Sequence, residues 1–106
     1  MSAVIAHCSC PDAETAARIA RVLVEERLAA CVQAIAAVRS TYRWQGTLHT
    51  DAEVLLLIKT TRRRLDALKA RLPGLHPYDV PELLVLEAVD GLPAYLDWLE
   101  SATSGV

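Results

Sequence analysis

The chain has no excess of either charge, no long apolar run and no internal repeat. It carries 11 basic and 13 acidic residues among 106, for a formal net charge of −2. Because a nucleic-acid-binding face needs a clear excess of Lys and Arg, this balance argues against a nucleic-acid partner. No apolar run approaches the roughly 20 residues that span a bilayer, and the first residues lack the pattern of a secretion signal. We therefore expect a cytoplasmic protein without a membrane segment.

Catalytic motifs are also absent. There is no nucleophile elbow, phosphate-binding loop, GxGxxG fingerprint or HExxH zinc motif, and no serine or threonine has a recognisable base nearby in the sequence. A chain of 106 residues fits one domain, residues 1–106, and a domain of this size is only marginally stable by itself. The sequence therefore predicts a small binding protein and not an enzyme, with oligomerisation as one source of stability.

Three cysteines, Cys8, Cys10 and Cys31, make a poor disulfide framework because their number is odd. Reduced thiols in a reducing compartment are the simpler interpretation. Cys8 and Cys10 lie two apart in an extended segment, so their side chains point to the same side. Two thiolates near a histidine form a soft site suited to Cu(I) or Zn(II), whereas buried cysteines otherwise pack as small hydrophobic residues. Both interpretations are open for this pair.

Strands and helices alternate along the chain. Apolar and β-branched segments predict four strands, and apolar residues at 3.6-residue spacing predict three helices. The strands are expected at residues 3–8, 30–44, 48–60 and 82–88, and the helices at about 13–27, at about 61–72 and from residue 93. The order βαββαβ contains two right-handed βαβ crossovers around a hairpin. It predicts an α+β, ferredoxin-like sandwich with helices on one sheet face, a long central hairpin and a short C-terminal helix.

The central hairpin is unusually long and apolar. Strands of about 13–15 residues exceed the usual five or six, and at ~3.3 Å per residue the hairpin would reach ~45 Å. The apolar run Val54–Ile58 interrupts the alternation of its second strand, which predicts burial on both faces. One layer of helices covers only one face, so we expect other copies of the chain to cover the second. Tyr42 and Trp44 are expected to be interface anchors.

The segment His76–Glu82 is the densest polar and aromatic stretch of the chain. Pro77 and Pro81 stiffen it, and stiff loops on a sheet scaffold tend to carry binding groups. A structural connector into the last strand is the alternative. Lys59 ends one apolar strand and Glu82 begins another, so the two would form an ion pair in a pocket, unless the lysine simply reaches into solvent.

Six runs of residues form a specific combination along the chain. They are CSCPD at 8–12, LVEERLAAC at 23–31, STYRWQG at 40–46, EVLLLIKT at 53–60, HPYDVPE at 76–82 and YLDW at 95–98. Together, in this order and without obvious gaps, they resemble the CutA divalent-cation tolerance family. The resemblance implies a ferredoxin-like homotrimer with hairpins woven between subunits, and a role in tolerance to divalent metals.

The resemblance also implies a copper ion as ligand, since some members bind copper. In those members the ligands are a cysteine on the first strand and two adjacent histidines before a Pro-Tyr pair. Cys8 and His76 match two of these positions, and Leu75 occupies the third. Cys10 would replace the missing imidazole only where the geometry allows.

A cleft between subunits is a further implication of the resemblance. The residues expected to line it are Cys31, Trp44, Lys59, Tyr78 and Glu82. Three functions remain as alternatives: a metal-responsive trimer that binds at Cys8 and His76, a regulatory trimer of the PII kind that binds a small anionic ligand between subunits, and an interaction scaffold without a ligand. The likeness to PII trimers is an analogy of fold only. Because one histidine is missing, the sequence favours the cleft over the partial copper site.

Overall fold

The computed structural model describes residues 3–105; Met1, Ser2 and Val106 lie outside the described part. Seven elements follow one another in the order expected from the sequence. They are β1 (Ala3–Cys10), α1 (Ala13–Glu25), β2 (Cys31–Trp44), β3 (Thr47–Thr61), α2 (Leu65–Arg71), β4 (Leu84–Glu87) and α3 (Pro93–Ala102). Short 3₁₀ turns at Arg62–Arg64 and Leu72–Gly74 flank α2.

The four strands form one antiparallel sheet in the order β2-β3-β1-β4. β1 therefore lies inside the sheet, between the hairpin and the last strand. Each of the first two helices connects strands that are not neighbours, which is the topology of the ferredoxin-like sandwich. The predicted fold class is confirmed.

Helix α1 shows how the local sequence sets an element. Asp12 caps its first turn, because its carboxylate accepts the backbone N–H of Thr15 at 2.7 Å. The helix ends at Glu25, two residues before the expected end near Arg27. Arg27 takes a left-handed conformation with φ of 58°, and the N–H of Leu28 bonds back to the carbonyl of Leu23. Residues 25–28 include no glycine, so the sequence gives no local signal for the end of this helix.

The core lies between α1, α2 and one face of the sheet. Alternate residues of β1 and β3 point into it and meet the apolar stripes of the two helices. Its most deeply buried members are Ala6, Cys8, Cys10, Ile19, Leu23, Leu56, Ile58 and Leu68. A smaller cluster joins Leu99 of α3 to Ala3 and Ala30 at one end of the sheet.

The β2–β3 hairpin closes through Gln45 and Gly46, which have φ of 50° and 80°. Two consecutive positive φ values define a type I′ turn, whose twist suits a two-residue hairpin loop. The longest dimension of the molecule is 44 Å, in agreement with the hairpin length expected from the sequence.

A β-bulge interrupts β2 and was not predicted. The register shifts between Ile35 and Val38, and Ala37 has a φ of 62°. Because side chains alternate along a strand, one extra residue exchanges the two faces beyond it. The bulge therefore brings Tyr42 and Trp44 onto the same sheet face as Ile35.

The bounds of all four strands differ from the prediction, those of β2 and β3 by single residues at their ends and those of β1 and β4 by more. β1 continues to Cys10 instead of ending at Cys8, because its last two residues still pair with β3. β4 covers only Leu84–Glu87 instead of 82–88, because it pairs with β1 only along residues 4–7. The residues between α2 and β4 are thus a longer loop than expected, and this loop carries His76.

The sheet face opposite α1 and α2, which we call the open face, is apolar. Ile5, Leu55 and Leu57 are half-buried there, while Leu84 and Leu86 of β4 are 64% and 50% exposed. Within residues 3–105, neither α1 nor α2 covers this face, since both pack into the core on the other side.

Candidate functional site

Two thiols and one imidazole meet beneath the loop that precedes β4. Cys8 and Cys10 occupy alternate positions of β1 and point to the core, and His76 approaches them from the end of the turn after α2. The possible ligand atoms of these three buried residues all lie within 4.8 Å of one another. We call this group the thiol–imidazole cluster. It includes both predicted metal residues, Cys8 and His76, and adds Cys10.

Backbone groups orient the imidazole of His76. The N–H of Tyr78 donates to Nδ1 at 3.2 Å, so Nδ1 carries no proton. Nε2 lies 2.8 Å from the carbonyl oxygen of Ser9, to which it donates as N–H. The ring also packs at a tilt against Tyr78, with 4.7 Å between the ring centroids. Nε2 of His76 is thus a donor to Ser9, the residue between the two cysteines, and Nδ1 is an acceptor. Ligation of a metal by His76 requires release of one of these two hydrogen bonds.

The two thiols are electrostatically coupled. The hydrogen bond with Cys10, and then burial, raise the pKa of the Cys8 thiol. The same hydrogen bond lowers the pKa of the Cys10 thiol, against the opposing effect of burial. The pair therefore gives up its first proton far more readily than its second. A cation that binds both sulfurs must displace both protons, so its affinity depends on pH.

The donor set fits a soft cation. Two sulfurs and one nitrogen suit Cu(I) or Zn(II), whose bonds to such ligands measure about 2.0–2.3 Å and place donors roughly 3.5–4 Å apart. The cluster would contract slightly to reach these distances. Leu75, which the resemblance matches to a second histidine, belongs to the hydrophobic core instead.

A cavity of about 590 Å³ opens on the other side of β1, between the hairpin and the loop 77–82. Its lining residues are Ser9, Ser40, Tyr42, Trp44, His49, Glu53, Pro77, Tyr78, Asp79, Val80 and Glu82. We call it the hairpin cavity. Three residues predicted for the cleft, Trp44, Tyr78 and Glu82, meet here.

Hydrogen bonds between hydroxyl groups and carboxylates organise the hairpin cavity. Tyr78 Oη donates to Glu53 Oε2 at 2.6 Å, and Ser9 Oγ donates to Glu82 Oε1 at 2.6 Å. Tyr42 Oη donates to Asp51 Oδ2. Burial and then the bond to Glu53 raise the pKa of Tyr78, and the bond to Asp51 raises that of Tyr42. Both phenols therefore stay protonated at physiological pH and act as donors.

The other two predicted cleft residues lie elsewhere. Cys31 and Lys59 are partners in the β2–β3 register, and Lys59 lines a smaller depression beside α3. Glu82 bonds to Ser9, and within residues 3–105 Lys59 forms no ion pair. One chain by itself therefore does not bring Lys59 and Glu82 together.

Glu53 is the cavity residue that sequence reasoning missed. His49 and Asp51 occupy the two preceding positions on the same face of β3, so Glu53 continues a row of polar residues. In the structure it is only 8% exposed, because the ring of Tyr78 reaches across to it. Its position directly before the apolar run of β3 was the available signal.

The fold and the cluster define a class of protein: a small ferredoxin-like domain with a buried group of soft donor atoms. A model of the family CutA1 divalent ion tolerance protein matches residues 4–102. The chain belongs to this CutA1 family, as the resemblance predicted. Within residues 3–105, no helix is long and apolar enough to cross a membrane.

Relatives and solved structures agree with this assignment. The chain is 50% identical over 93 residues to the divalent-cation tolerance protein CutA of Thermus thermophilus. This alignment covers 88% of this chain and 90% of that protein. It is 42% identical to the mouse protein CutA over 92% of its own length, but spans only 55% of that longer protein. The crystal structure of CutA from Xylella fastidiosa superposes with a TM-score of 0.94 at 43% identity, covering 98% and 100% of the two chains.

Proposed function

We propose that this chain is a single-domain, homotrimeric binding protein that takes part in the response to metal cations by holding a soft cation, with copper as the leading candidate, at the thiol–imidazole cluster. The observation that carries the proposal is the approach of three buried soft donors to within 4.8 Å of one another. Cys10 supplies the third donor that Leu75 cannot. A cation site is in keeping with the divalent-ion tolerance for which the family is named.

Binding, and not catalysis, is the activity that the cluster supports. Its imidazole is held by two backbone groups, and its thiols are buried in the core, away from any bulky substrate. The three cysteines are free thiols, which fits a reducing compartment such as the cytoplasm.

The open face supports the homotrimer. Large apolar side chains that remain half exposed on a monomer commonly mark an interface, and Leu84 and Leu86 belong to this class. The strands of the hairpin have 14 and 15 residues, and most of their residues near the turn are exposed, beyond the part that α1 and α2 shield. Two further copies would cover both regions.

Calorimetry with Cu(I) under reducing conditions tests the metal site. Cys10→Ala and His76→Ala should each weaken binding by more than the 10–100-fold typical of second-shell losses, because each removes a ligand. His7→Ala, on the opposite face of β1, and Cys31→Ala should bind like the wild type. Equal affinity in all five proteins would refute the site.

A second candidate function is a regulatory trimer that responds to a small ligand, and the hairpin cavity favours it. Its volume lies in the range of small-molecule sites. The anionic ligand expected from the PII analogy is disfavoured, because the described lining residues include three carboxylates and neither lysine nor arginine. A scaffold without any ligand is the remaining alternative, and it survives only if metals and small molecules all fail to bind.

A further inference from the structure

The hairpin cavity combines negative charge with aromatic walls. Glu53, Asp79 and Glu82 contribute its carboxylates. Tyr42, Trp44 and Tyr78 contribute its aromatic rings. The faces of such rings carry negative electrostatic potential, which attracts organic cations. Both kinds of group therefore favour the same sign of ligand.

Glu53 is the carboxylate best placed to contact a ligand in the cavity. The residue is 8% exposed, and only its Oε2 has a partner among residues 3–105, the hydroxyl of Tyr78. No side-chain oxygen or nitrogen of the described residues is both sealed from solvent and without a partner. Oε1 is therefore not fully sealed, and Glu53 lines the hairpin cavity.

The shape of the cavity distinguishes an organic cation from a metal ion. A hard metal ion needs about six oxygen ligands converging at 2.0–2.6 Å. Two of the three carboxylates are already engaged, Glu53 with Tyr78 and Glu82 with Ser9. A volume of about 590 Å³ suits a small molecule and leaves a bare ion unsupported on most sides.

We propose that the hairpin cavity binds a small protonated organic amine. The ammonium group pairs with Oε1 of Glu53, and the carbon skeleton lies against the rings of Trp44 and Tyr42. This site is separate from the thiol–imidazole cluster, which lies on the other side of β1, so the inference stands independently of metal binding. In the proposed trimer the cavity opens on the covered face, and a neighbouring subunit would add a further wall.

Titration calorimetry of the full chain tests the proposal, with quenching of tryptophan fluorescence as a second readout. The probes are choline, ethanolamine and spermidine, with 3,3-dimethylbutan-1-ol as the uncharged counterpart of choline. Calcium chloride and citrate represent an inorganic cation and an organic anion. At least one of the two protonated amines, ethanolamine and spermidine, should bind saturably. Choline is a quaternary ammonium ion without an N–H group, so it tests the aromatic walls and should bind more weakly than that amine but more tightly than its uncharged counterpart.

The decisive variant is Glu53→Gln, which removes the charge but keeps an acceptor for Tyr78. It should weaken amine binding by at least about tenfold, the effect of losing one charge-assisted contact. Glu14→Gln makes the same change at an exposed position of α1 and should bind like the wild type. If Glu53→Gln does not fold, Asp79→Asn on the exposed loop repeats the test, with the expectation of weaker binding.

Three results would overturn the proposal. They are no saturable binding of any amine, tighter binding of citrate or calcium than of every amine, and unchanged amine affinity in Glu53→Gln. Loss of Cu(I) binding in Cys10→Ala with intact amine binding would separate the two sites, because the first result concerns only the thiol–imidazole cluster.

Discussion

Two tyrosines donate to carboxylates in this chain, and burial distinguishes them. Tyr78 bonds to Glu53, which is 8% exposed, whereas Tyr42 and its partner Asp51 are exposed near the hairpin tip. Water replaces a lost partner at an exposed carboxylate but reaches a buried one poorly. The same hydroxyl is therefore worth more to the fold at Tyr78 than at Tyr42.

Replacement of each tyrosine by phenylalanine checks this difference. Tyr78→Phe should lower the free energy of unfolding by about 1–2 kcal/mol, because Glu53, which is mostly buried, loses its only hydrogen-bond donor among residues 3–105. Tyr42→Phe should have little effect. Urea denaturation of both variants measures the contrast, and equal losses would contradict the role assigned to burial.

Tyr78 also links the two candidate sites. Its backbone N–H orients His76 while its hydroxyl holds Glu53. Since Tyr78→Phe preserves the backbone group, the orientation of His76 should survive in that variant. The thiol–imidazole cluster and the hairpin cavity thus both depend on Tyr78 but use different atoms of it.

The decisive element is the hairpin, because its bulge determines which face Tyr42 and Trp44 occupy. The bulge depends on Ala37, which adopts a φ of 62° although it has a Cβ atom. This left-handed conformation costs a non-glycine residue about 1–2 kcal/mol, and a β-branched side chain more. Alanine is tolerated there because its side chain is small.

Two alanine-to-valine substitutions in β2 test the strain at the bulge. Ala37→Val should destabilise the protein by about 1–3 kcal/mol, because the branched side chain clashes with the backbone at positive φ. Ala34→Val, at an exposed and regularly paired position, should be neutral or slightly stabilising, since valine favours strands. Chemical denaturation compares the two. Similar effects would show that the bulge does not constrain position 37.

At the scale of the whole molecule, the open face is an apolar surface that one chain by itself does not bury. Helices cover one side of the sheet, and half-exposed leucines occupy the other. Small domains gain stability by burying such a surface against copies of themselves. The trimer proposed above is the assembly that would do so.

Sedimentation equilibrium tests this assembly. The wild type should sediment at three times the chain mass of 11.6 kDa. Leu86→Asp should dissociate it, because the buried charge would lack a partner in the interface. Val24→Asp, on the outer side of α1, should leave the trimer intact. A well-folded wild-type monomer at micromolar concentration would contradict the proposal.

The order of elements followed from local patterns in the sequence. Apolar periodicity identified the helices and strands. In the structure, Asp12 caps the first turn of α1, and Gln45 and Gly46 form the hairpin turn. The two strands of the hairpin contain neither proline nor glycine, which favours their length. These features depend on neighbours close in the sequence, so the amino-acid sequence by itself was enough to predict the order of elements.

Only the tertiary structure decided which chemical groups meet. His76 reaches Ser9, 67 positions away, through the packing of a loop whose path the sequence did not specify. One extra residue at the bulge fixed the face of Trp44. The register of β1 with β3 set Lys59 beside Ile5, whereas Glu82 contacts Ser9, four residues further along β1. Such outcomes depend on long-range packing, where a shift of one residue reverses a face, and local periodicity carries no information about that shift.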